Sequence, residues 1–360
     1  MATAGSAGLQ PGCRGKPRKR RASGDESAGA SVLVWTGRGP NPMDYGSAAP
    51  AGLRPFGDAL HRALARGPRW LAQAYLFLLS LISRNLLSRR NQQRIYNAVR
   101  GRPWPAMDLA ARDVVLGKSS RVRLVPHLGE FDEQALFSRR LDYEPATFFL
   151  LERTAARYDV IVEIGANVGI FTVFLDALRR RRPWQRQHIV SFEPAPEACR
   201  RLRRNIELNG VKATVYQAAV GPEPGQRTFY EPVGHLTNGS FVRDFAAQYG
   251  EEVEETTVEV IAASELEAWL GPARRSLIKI DVEGFEPELL AALAPLLARY
   301  RPDLLIEVMP STQGPLEALG VLDSYDRFLV TDKGLRPAKE LHFTAGYFDW
   351  FLTSRTPRRN

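Results

Sequence analysis

The 360-residue chain carries a formal net charge of +9 that is unevenly distributed. Residues 1–100 hold 16 Lys and Arg against 4 acidic residues, whereas the remainder holds 33 against 36 and is slightly acidic. Nucleic-acid binding usually needs a basic face on the folded domain, so nucleic acid is not a favoured partner. The two cysteines exclude a disulfide framework and a cysteine metal cluster, and they suit a reducing compartment.

The first 50 residues are rich in Ala, Gly, Ser and Pro and contain few large apolar side chains. A core cannot offset the ordering entropy of such a segment, so residues 1–50 are predicted to be a disordered basic tail. Within it, the charge run Lys16–Arg21 favours a solvated tail over contact with anionic lipid or nucleic acid, or an import signal. No apolar signal-peptide core follows these basic residues, which predicts a cytoplasmic protein. Met43 begins a stretch that reads like the start of a protein.

Residues 51–139 are predicted to form a helical extension, in which residues 70–82 are the most apolar run of the chain. This run is shorter than the roughly 20 residues of a membrane-spanning helix. On a helical projection, Gln73 and Ser80 form a narrow polar stripe on an otherwise apolar cylinder, so the helix must bury most of its surface. Packing against the rest of the chain or homodimer formation is favoured over peripheral membrane contact through residues 66–94, which arginines would assist.

A predicted hairpin at residues 113–126 precedes an alternation of apolar and amphipathic runs that starts at Asp159. This alternation is typical of an α/β fold with a mostly parallel, seven-stranded sheet and helices on both faces. The predicted strands are 159–164, 188–193, 213–219, 276–281, 303–308, 326–331 and 347–352. The predicted helices are 169–182, 195–208, 285–297 and 314–319. An additional strand pair is predicted at 226–231 and 256–261.

The first predicted strand runs directly into the turn Gly165-Ala-Asn-Val-Gly169 and then into a helix. A strand, a glycine turn and a helix N-terminus bring backbone N–H groups and a positive dipole end to one point, where a ligand can approach the main chain. Ordinary strand-to-helix packing explains the same glycine spacing equally well. The spacing differs from Gly-x-Gly-x-x-Gly and therefore disfavours a nicotinamide dinucleotide.

Acidic residues end two of the predicted strands. Glu193 ends the second strand, where a carboxylate can accept hydrogen bonds from both hydroxyls of a ribose. Asp281 and Glu283 emerge two residues apart at the end of the fourth strand, and Gly284 allows the turn into the next helix. Two carboxylates beside a bound cofactor indicate an active site, with helix capping by Asp281 or Glu286 as the alternative.

The order and spacing of these motifs resemble the FkbM family of S-adenosylmethionine-dependent methyltransferases. The matching segments are Glu163–Gly169, Phe192–Pro194 followed by Asn205 and Asn209, Ala218–Gly221, Lys279–Gly284 and Leu305–Glu307. The resemblance implies a Rossmann-like class I methyltransferase fold for residues 140–352, with S-adenosyl-L-methionine as the cofactor. The remaining residues, 353–360, form a basic C-terminal tail.

The resemblance also implies roles for individual residues. The loop that starts at Glu163 would hold the methionine portion of the cofactor, Glu193 the ribose, and the loop near Ala219 the adenine. Asp281 and Glu283 would face the transferred methyl group. The implied cofactor-binding residues are Glu163, Gly165, Ala166, Asn167, Gly169, Glu193, Pro194 and Ala219, and the implied catalytic residues are Asp281 and Glu283.

Family members often methylate hydroxyls on sugars or polyketide-like products, so the resemblance implies O-methylation of a sugar, glycan, glycolipid or secondary metabolite. Asp281 or Glu283 is then the candidate base for the hydroxyl proton, with His235 as a weaker candidate. Lys279 is expected to snorkel or to pair with an acid. No third ligand is visible for a metal at Asp281, so no metal is predicted.

The alternative function is a catalytically silent, methyltransferase-like scaffold or assembly protein that is held at a membrane by its N-terminal helix. The motif residues are intact, including Gly165, Gly169, Glu193 and Asp281. Their presence favours the enzyme over the scaffold.

Overall fold

The structure, a computed structural model, describes residues 107–354 with gaps at 185, 235–237 and 251. Upstream of these it describes residues 60, 63, 64, 66–100, 102 and 104. The predicted disordered tail, with its charge run and Met43, lies outside the described residues, as do His235 and the chain from residue 355 onward.

The helical extension contains two consecutive helices, α1 (Arg69–Leu86) and α2 (Arg89–Val99). Helix α1 is rich in leucine and alanine, which favour helix, and it ends where Leu87 adopts an extended backbone with φ −105° and ψ 147°. The helix predicted at 70–82 is therefore confirmed and extends further at its carboxyl end. Among the described residues, no helix has both the length and the apolar character needed to cross a bilayer.

Within the described chain, packing buries only one side of α1, and burial of its remaining apolar surface by a second copy or a membrane stays a prediction. Its buried residues are Ala72, Leu76, Ser80 and Ser83. Ser80 Oγ donates a hydrogen bond to the Leu136 carbonyl at 2.8 Å, and Ser83 Oγ donates to the Phe137 carbonyl at 2.6 Å. Both carbonyls belong to the short helix α3 (Gln134–Phe137). Because serine is small and its hydroxyl finds a partner here, the polar side of α1 packs inward and the large apolar side chains remain outside.

The predicted hairpin is confirmed as the antiparallel pair β1 (Arg112–Leu116) and β2 (Ser120–Leu124). Side chains alternate along β2, so that three of its five residues are buried. The side-chain amide of Asn209 accepts from the Arg123 N–H at 2.8 Å and donates to the Arg123 carbonyl at 2.6 Å. This pair of bonds ties the hairpin to the α/β part of the chain.

The α/β part follows helix α4 (Pro145–Thr154). Its first half consists of β3 (Val160–Ile164), α5 (Ile170–Arg180), β4 (His188–Phe192), α6 (Pro196–Asn209), β5 (Thr214–Tyr216), β6 (Ala219–Gly221), β7 (Gly225–Pro232), α7 (Arg243–Ala246) and β8 (Val253–Ala262). Its second half consists of α8 (Glu267–Leu270), β9 (Ser276–Ile280), α9 (Glu286–Tyr300), β10 (Asp303–Glu307), α10 (Gln313–Glu317), β11 (Tyr325–Thr331), β12 (Gly334–Ala338) and β13 (Asp349–Ser354).

The main sheet has the strand order β12-β11-β13-β10-β9-β3-β4-β5. Strands β5, β4, β3, β9 and β10 are parallel, whereas β13 is antiparallel to both of its neighbours. This arrangement confirms the Rossmann-like class I fold. The strand order reverses between β3 and β9, and ligands of open α/β sheets bind at the carboxyl ends of the strands beside such a reversal.

Two details of the sheet differ from the sequence-based prediction. The run predicted as one strand at 213–219 is divided, because β5 pairs in the main sheet while β6 joins a separate sheet of order β6-β8-β7. The predicted additional pair is confirmed as β7 and β8 within that second sheet. The edge strand β12 was not predicted, so the main sheet has eight strands.

The hydrophobic core occupies both faces of the main sheet. All five residues of β3 and all five of β9 are buried, as expected for strands covered on two sides. Val160, Val162 and Ile164 contribute to one apolar cluster and Ile161 to the other, because side chains alternate along a strand. The sheet therefore holds the carboxyl ends of β3 and β9 in a rigid position.

Candidate active site

The carboxyl ends of β3, β4, β9 and β10 border a cavity of about 650 Å³. This volume lies within the usual range for small-molecule and cofactor sites. Nine of the ten predicted site residues line the cavity, and Gly169 is the exception. Residues from the helical extension complete its wall, namely Gln93 and Tyr96 of α2 and Arg100 directly after it.

Gly165 brings the loop after β3 against the loop after β9. Its φ is +86°, and a Cβ atom placed on it would lie 1.7 Å from the carbonyl oxygen of Asp281. Next to this contact, the Asp281 N–H donates to the Ile164 carbonyl at 3.0 Å. Only glycine fits both the backbone conformation and the space, so this residue sets the distance between the loop and the catalytic candidates.

Gly169 serves helix packing. It precedes α5 with φ +81°, and a Cβ atom on it would lie 2.1 Å from Cδ1 of Leu202 in α6. The structure therefore gives Gly169 the packing role that was the alternative explanation of the glycine spacing. It does not bring this residue to the cavity wall.

The N–H groups of the glycine loop are directed at the end of β4. Gly165 and Ala166 donate to the Phe192 carbonyl at 3.0 and 2.9 Å, and Asn167 donates to Glu193 Oε2 at 2.7 Å. These donors are consequently engaged within the chain, unlike those of loops that cradle a pyrophosphate.

Glu193 fixes the shape of the loop. Its two carboxylate oxygens accept the N–H groups of Asn167 at 2.7 Å and Ala195 at 2.9 Å. Burial raises the pKa of Glu193 to about 7, although both N–H donors act to lower it. Each carboxylate oxygen has a further lone pair, so the side chain can still accept a ligand hydroxyl.

Asn167 offers a second polar atom to a ligand. Its φ is +49°, a left-handed conformation that asparagine tolerates better than most residues. Its Oδ1 is buried without a hydrogen-bond partner among the described residues, and the side chain lines the cavity. A buried acceptor without a donor is costly unless a ligand or water supplies one.

The wall next to Glu193 is apolar. Ala219 and Val220 of β6 line it and are nearly inaccessible to solvent. Phe241 lines the same wall and packs edge-on against Phe285, with ring centroids 5.0 Å apart. Such a surface can accept a flat apolar ring, in agreement with the predicted adenine position near Ala219.

Lys279 and Asp281 form a buried ion pair at the end of β9. Lys279 Nζ lies 2.6 Å from Asp281 Oδ2 and 4.6 Å from the centroid of the Phe171 ring. Burial alone would lower the pKa of Lys279, but surrounding carboxylates, with Asp281 the foremost, hold it above its ordinary value. The prediction that Lys279 pairs with an acid is confirmed, and the side chain does not snorkel to solvent.

Glu283 differs from Asp281 in its surroundings. It has φ +54°, and its Oε2 is buried without a hydrogen-bond partner among the described residues. Burial, reinforced by the charges of Asp281 and Glu286, raises the pKa of Glu283 well above its ordinary value. Glu283 therefore combines an accessible lone pair with a high proton affinity.

Glu286 has the helix-capping role that was the alternative interpretation of these acidic residues. It accepts hydrogen bonds from the N–H groups of Val282 and Gly284 and is fully buried. Its carboxylate thus stabilises the turn that carries Glu283. Asp281, in contrast, directs its carboxylate to Lys279.

Six further acidic residues line the cavity and were missing from the predicted site, and three of them are Glu144, Glu307 and Asp349. Glu307 ends β10, and its Oε2 is buried without a partner among the described residues. Asp349 interacts with the side chain of Glu144 and accepts a hydrogen bond from the Thr147 hydroxyl. Burial raises the pKa of all three groups.

The cavity wall is strongly acidic. The described residues that line it include ten acidic side chains and two basic ones, Arg100 and Lys279. Burial also raises the pKa of Glu163 to about 7, against the effects of Lys279 and of two hydroxyl donors, Thr172 and Ser191. An empty cavity of this kind retains protons on its carboxyl groups, and a cationic ligand would displace them.

No metal site is evident in the portion of the chain that the structure covers, since it contains no group of three His, Cys, Asp or Glu residues arranged to hold an ion. The lone histidine considered as a base, His235, is not among the described residues. The charged side chains that line this site at the ends of the strands are carboxyl groups and Lys279.

Comparison with known proteins agrees with the site geometry. Residues 163–328 match the family model described as the methyltransferase FkbM domain. The 31-O-demethyl-FK506 methyltransferase FkbM of Streptomyces tacrolimicus is 31% identical over 159 residues, which cover 38% of this chain and 59% of that protein. Methyltransferase 1 of Beauveria bassiana is 29% identical over 150 residues, covering 37% of this chain and 57% of that protein. The chain thus spans less than two thirds of the length of either relative.

Two solved structures share low overall similarity with this chain. The methyltransferase FkbM from Methylobacillus flagellatus has a TM-score of 0.34 and 17% identity, covering 54% of this chain and 43% of that one. A SAM-dependent methyltransferase from Agrobacterium tumefaciens has a TM-score of 0.36 and 10% identity, covering 70% of this chain and 72% of that one. The fold is assigned from the strand order. The family is assigned from the sequence match, by which residues 163–328 of this chain belong to the FkbM methyltransferase family.

Proposed function

We propose that the chain is an S-adenosylmethionine-dependent methyltransferase that acts on a hydroxyl group of a sugar, glycan, glycolipid or secondary metabolite. One observation carries this proposal: the FkbM domain brings the glycine loop, Glu193 and the pair Asp281 and Glu283 to one cavity at the strand-order reversal. The relative from Streptomyces tacrolimicus is by its name an O-methyltransferase, which supports a hydroxyl acceptor.

The residues of the cavity suit S-adenosylmethionine. Glu193 and the unpartnered Oδ1 of Asn167 can accept hydrogen bonds from the ribose and amino groups, and the apolar wall at Ala219 suits adenine. The acidic wall matches a ligand that carries a sulfonium and an ammonium charge. A dinucleotide would instead require free N–H donors in the loop between Gly165 and Gly169.

S-adenosylmethionine supplies an already activated methyl group, so the protein mainly has to align the acceptor and remove its proton. Positioning of this kind can contribute roughly 7 to 11 kcal/mol at best. Glu283 Oε2 is the atom that we assign to accept the hydroxyl proton, because it is buried, unpartnered and has a raised pKa. A base whose pKa lies near the working pH is the most effective.

Asp281 has a different part in this proposal. Its ion pair with Lys279 fixes the orientation of its carboxylate at the end of β9. A fixed negative charge at that position favours a cationic sulfonium over its neutral product. Lys279 itself is engaged by Asp281 and is not available to take up the acceptor proton.

The silent scaffold is the less favoured function. A scaffold that has lost its chemistry has no use for buried carboxyl groups without partners, and such groups lower stability. Glu283 and Glu307 each have a buried carboxyl oxygen without a hydrogen-bond partner among the described residues. Retention of these groups supports the enzyme.

Calorimetric titration of the full chain with S-adenosylmethionine, and separately with its demethylated product S-adenosylhomocysteine, tests the proposal. We expect micromolar binding of both, followed by methyl transfer to members of a hydroxylated acceptor panel. A folded sample that binds neither compound would contradict the proposal.

The pH dependence of the same titration tests the acidic wall. A sulfonium lowers the pKa of nearby carboxyls, so its binding should release protons and strengthen as pH rises through about 7, where Glu163 titrates in the free protein. S-adenosylhomocysteine lacks the sulfonium charge and serves as the matched control, with a flatter pH profile. Parallel profiles for the two ligands would argue against electrostatic recognition of the donor.

A further inference from the structure

Helix α1 exposes a continuous apolar face. Trp70 is 67% exposed and Leu78 is 58% exposed. The large apolar side chains exposed on α1 are Trp70, Leu71, Phe77, Leu78, Leu81, Ile82 and Leu86. Their spacing of three, four and seven residues places most of them along one side of the helix. Contiguous apolar surface of this kind marks an interaction site.

The orientation of this face is fixed by the opposite side of the helix. Ser80 and Ser83 donate to carbonyls of α3, and Arg84 Nη2 donates to the Asp113 carbonyl at 2.6 Å. Arg84 Nη1 also donates to the Ala135 carbonyl at 2.5 Å. Rotating α1 to bury its leucines would break all of these bonds. The apolar face is therefore held outward by hydrogen bonds on the other side.

The charged residues in the stretch of sequence that contains α1 have a single sign. Residues 59–107 contain nine arginines and no Asp or Glu. Exposed arginines at the two ends of α1 include Arg66 before it, Arg69 as its first residue, and Arg90 and Arg94 after it. An apolar helix face between cationic ends matches the surface of an anionic bilayer, with apolar acyl chains beneath negative head groups.

We infer that the outer face of α1, flanked by these arginines, binds peripherally to an anionic lipid surface. A second copy of the chain is the less suitable occupant, because a symmetric contact would bring the same arginines of both copies together. Helix α1 does not have to cross the bilayer for this binding. Only its apolar face has to enter the interface between the head groups and the acyl chains. The inference is independent of methyl transfer.

Flotation of the full chain with vesicles tests the inference. We expect it to float with vesicles of phosphatidylcholine and phosphatidylglycerol and to float much less with phosphatidylcholine alone. The triple variant Phe77→Gln, Leu78→Gln, Leu81→Gln should reduce partitioning to the anionic vesicles by about 10-fold or more, because these side chains lie in the middle of the face and supply a substantial part of its exposed apolar area. All three residues are exposed, and glutamine favours helix, so the fold should be retained.

Trp184→Gln is the matched control, because Trp184 is 78% exposed and lies far from α1 in the sequence. It should float like the unchanged chain. Equal flotation of the triple variant would overturn the inference, as would absence of flotation with anionic vesicles. A dimer in solution that the triple variant converts to a monomer would assign the face to a second copy and would also overturn it.

Discussion

Two carboxylates two residues apart face different surroundings at the end of β9. Asp281 is paired with Lys279 at 2.6 Å, whereas Glu283 keeps a buried oxygen without a partner among the described residues. Neighbouring carboxyl groups whose environments separate their pKa values commonly divide acid–base work between them. In the proposed mechanism we therefore assign the proton acceptor to Glu283, because Asp281 is engaged by Lys279, a choice between the two that the sequence alone left undecided.

Glu283→Gln should lower the turnover of methyl transfer by about 100-fold or more, because a positioned base contributes about 100- to 10,000-fold. Its affinity for S-adenosylmethionine, measured by calorimetry, should change little. Glu265→Gln, at an exposed position, is the control and should leave both quantities unchanged. Full turnover of the Glu283 variant would remove this residue as the base and direct attention to Glu307.

Glu193→Gln should weaken binding of S-adenosylmethionine about 10- to 100-fold, from the loss of one or two charged hydrogen bonds. In the structure Glu193 also accepts two backbone N–H groups, so part of the effect comes from a less ordered loop. Calorimetry gives the affinity, and circular dichroism with thermal unfolding shows whether the variant is folded. A folded variant with an unchanged dissociation constant would disprove the ribose assignment.

At the scale of the elements, the central strands were predictable because each is a short apolar run that ends in glycine or an acid. Strands β3, β4, β9 and β10 all have this form. The separation of β5 from β6 was not predictable, because no glycine or proline interrupts residues 213–219. Strand β12 was not predictable either, since it contains Pro337 and its side chains are mostly exposed.

The same reasoning explains which site residues were found. Asp281 and Glu283 follow a recognisable strand, and Glu307 could have been included for the same reason. Asp349 begins an antiparallel strand, so it reaches this edge only because β13 reverses direction. Glu144 comes from the segment before the alternating pattern begins, and no local signal connects it with the site.

The inward orientation of the serines of α1 was not predictable, because a polar stripe alone does not show which side of a helix meets the rest of the chain. A hydroxyl that donates to a carbonyl can be buried, and small side chains allow close packing of helices. Arg84 has the same function, since its guanidinium donates to the carbonyls of Ala135, Ser138 and Asp113. Three acceptors from separate parts of the chain meet only in the folded structure.

Arg84→Lys should loosen the docking of α1, because one ammonium group cannot replace a planar guanidinium that donates to three carbonyls. Loss of one charged hydrogen bond costs about 1.5 to 3 kcal/mol. Hydrogen exchange should therefore become faster over residues 69–86 while remaining unchanged in β3. Arg90→Lys, at an exposed position on α2, should exchange like the unchanged chain. Equal protection of α1 in both variants would show that Arg84 does not hold the helix.

At the scale of the whole molecule, the free protein carries several buried carboxyl groups with raised pKa values. Burial raises the pKa to about 7 for Glu133, Glu163, Glu193 and Glu286, from an ordinary value of 4.5. The folded state therefore binds more protons than the unfolded state between these two values. Glu197 has the opposite shift, with a pKa near 2 due to Arg200, and affects stability only at lower pH.

The free energy of unfolding should consequently fall as pH rises from about 5 to about 8, because each such group favours the folded state only while it is protonated. The maximum slope is about 1.4 kcal/mol per pH unit and group. Thermal unfolding of the ligand-free chain across this range measures the effect, and Glu163→Gln should give a shallower slope, since glutamine remains neutral. Exposed Glu265→Gln should retain the original slope. A melting temperature that rises with pH in all three proteins would mean that these carboxyls are already ionised in the folded state.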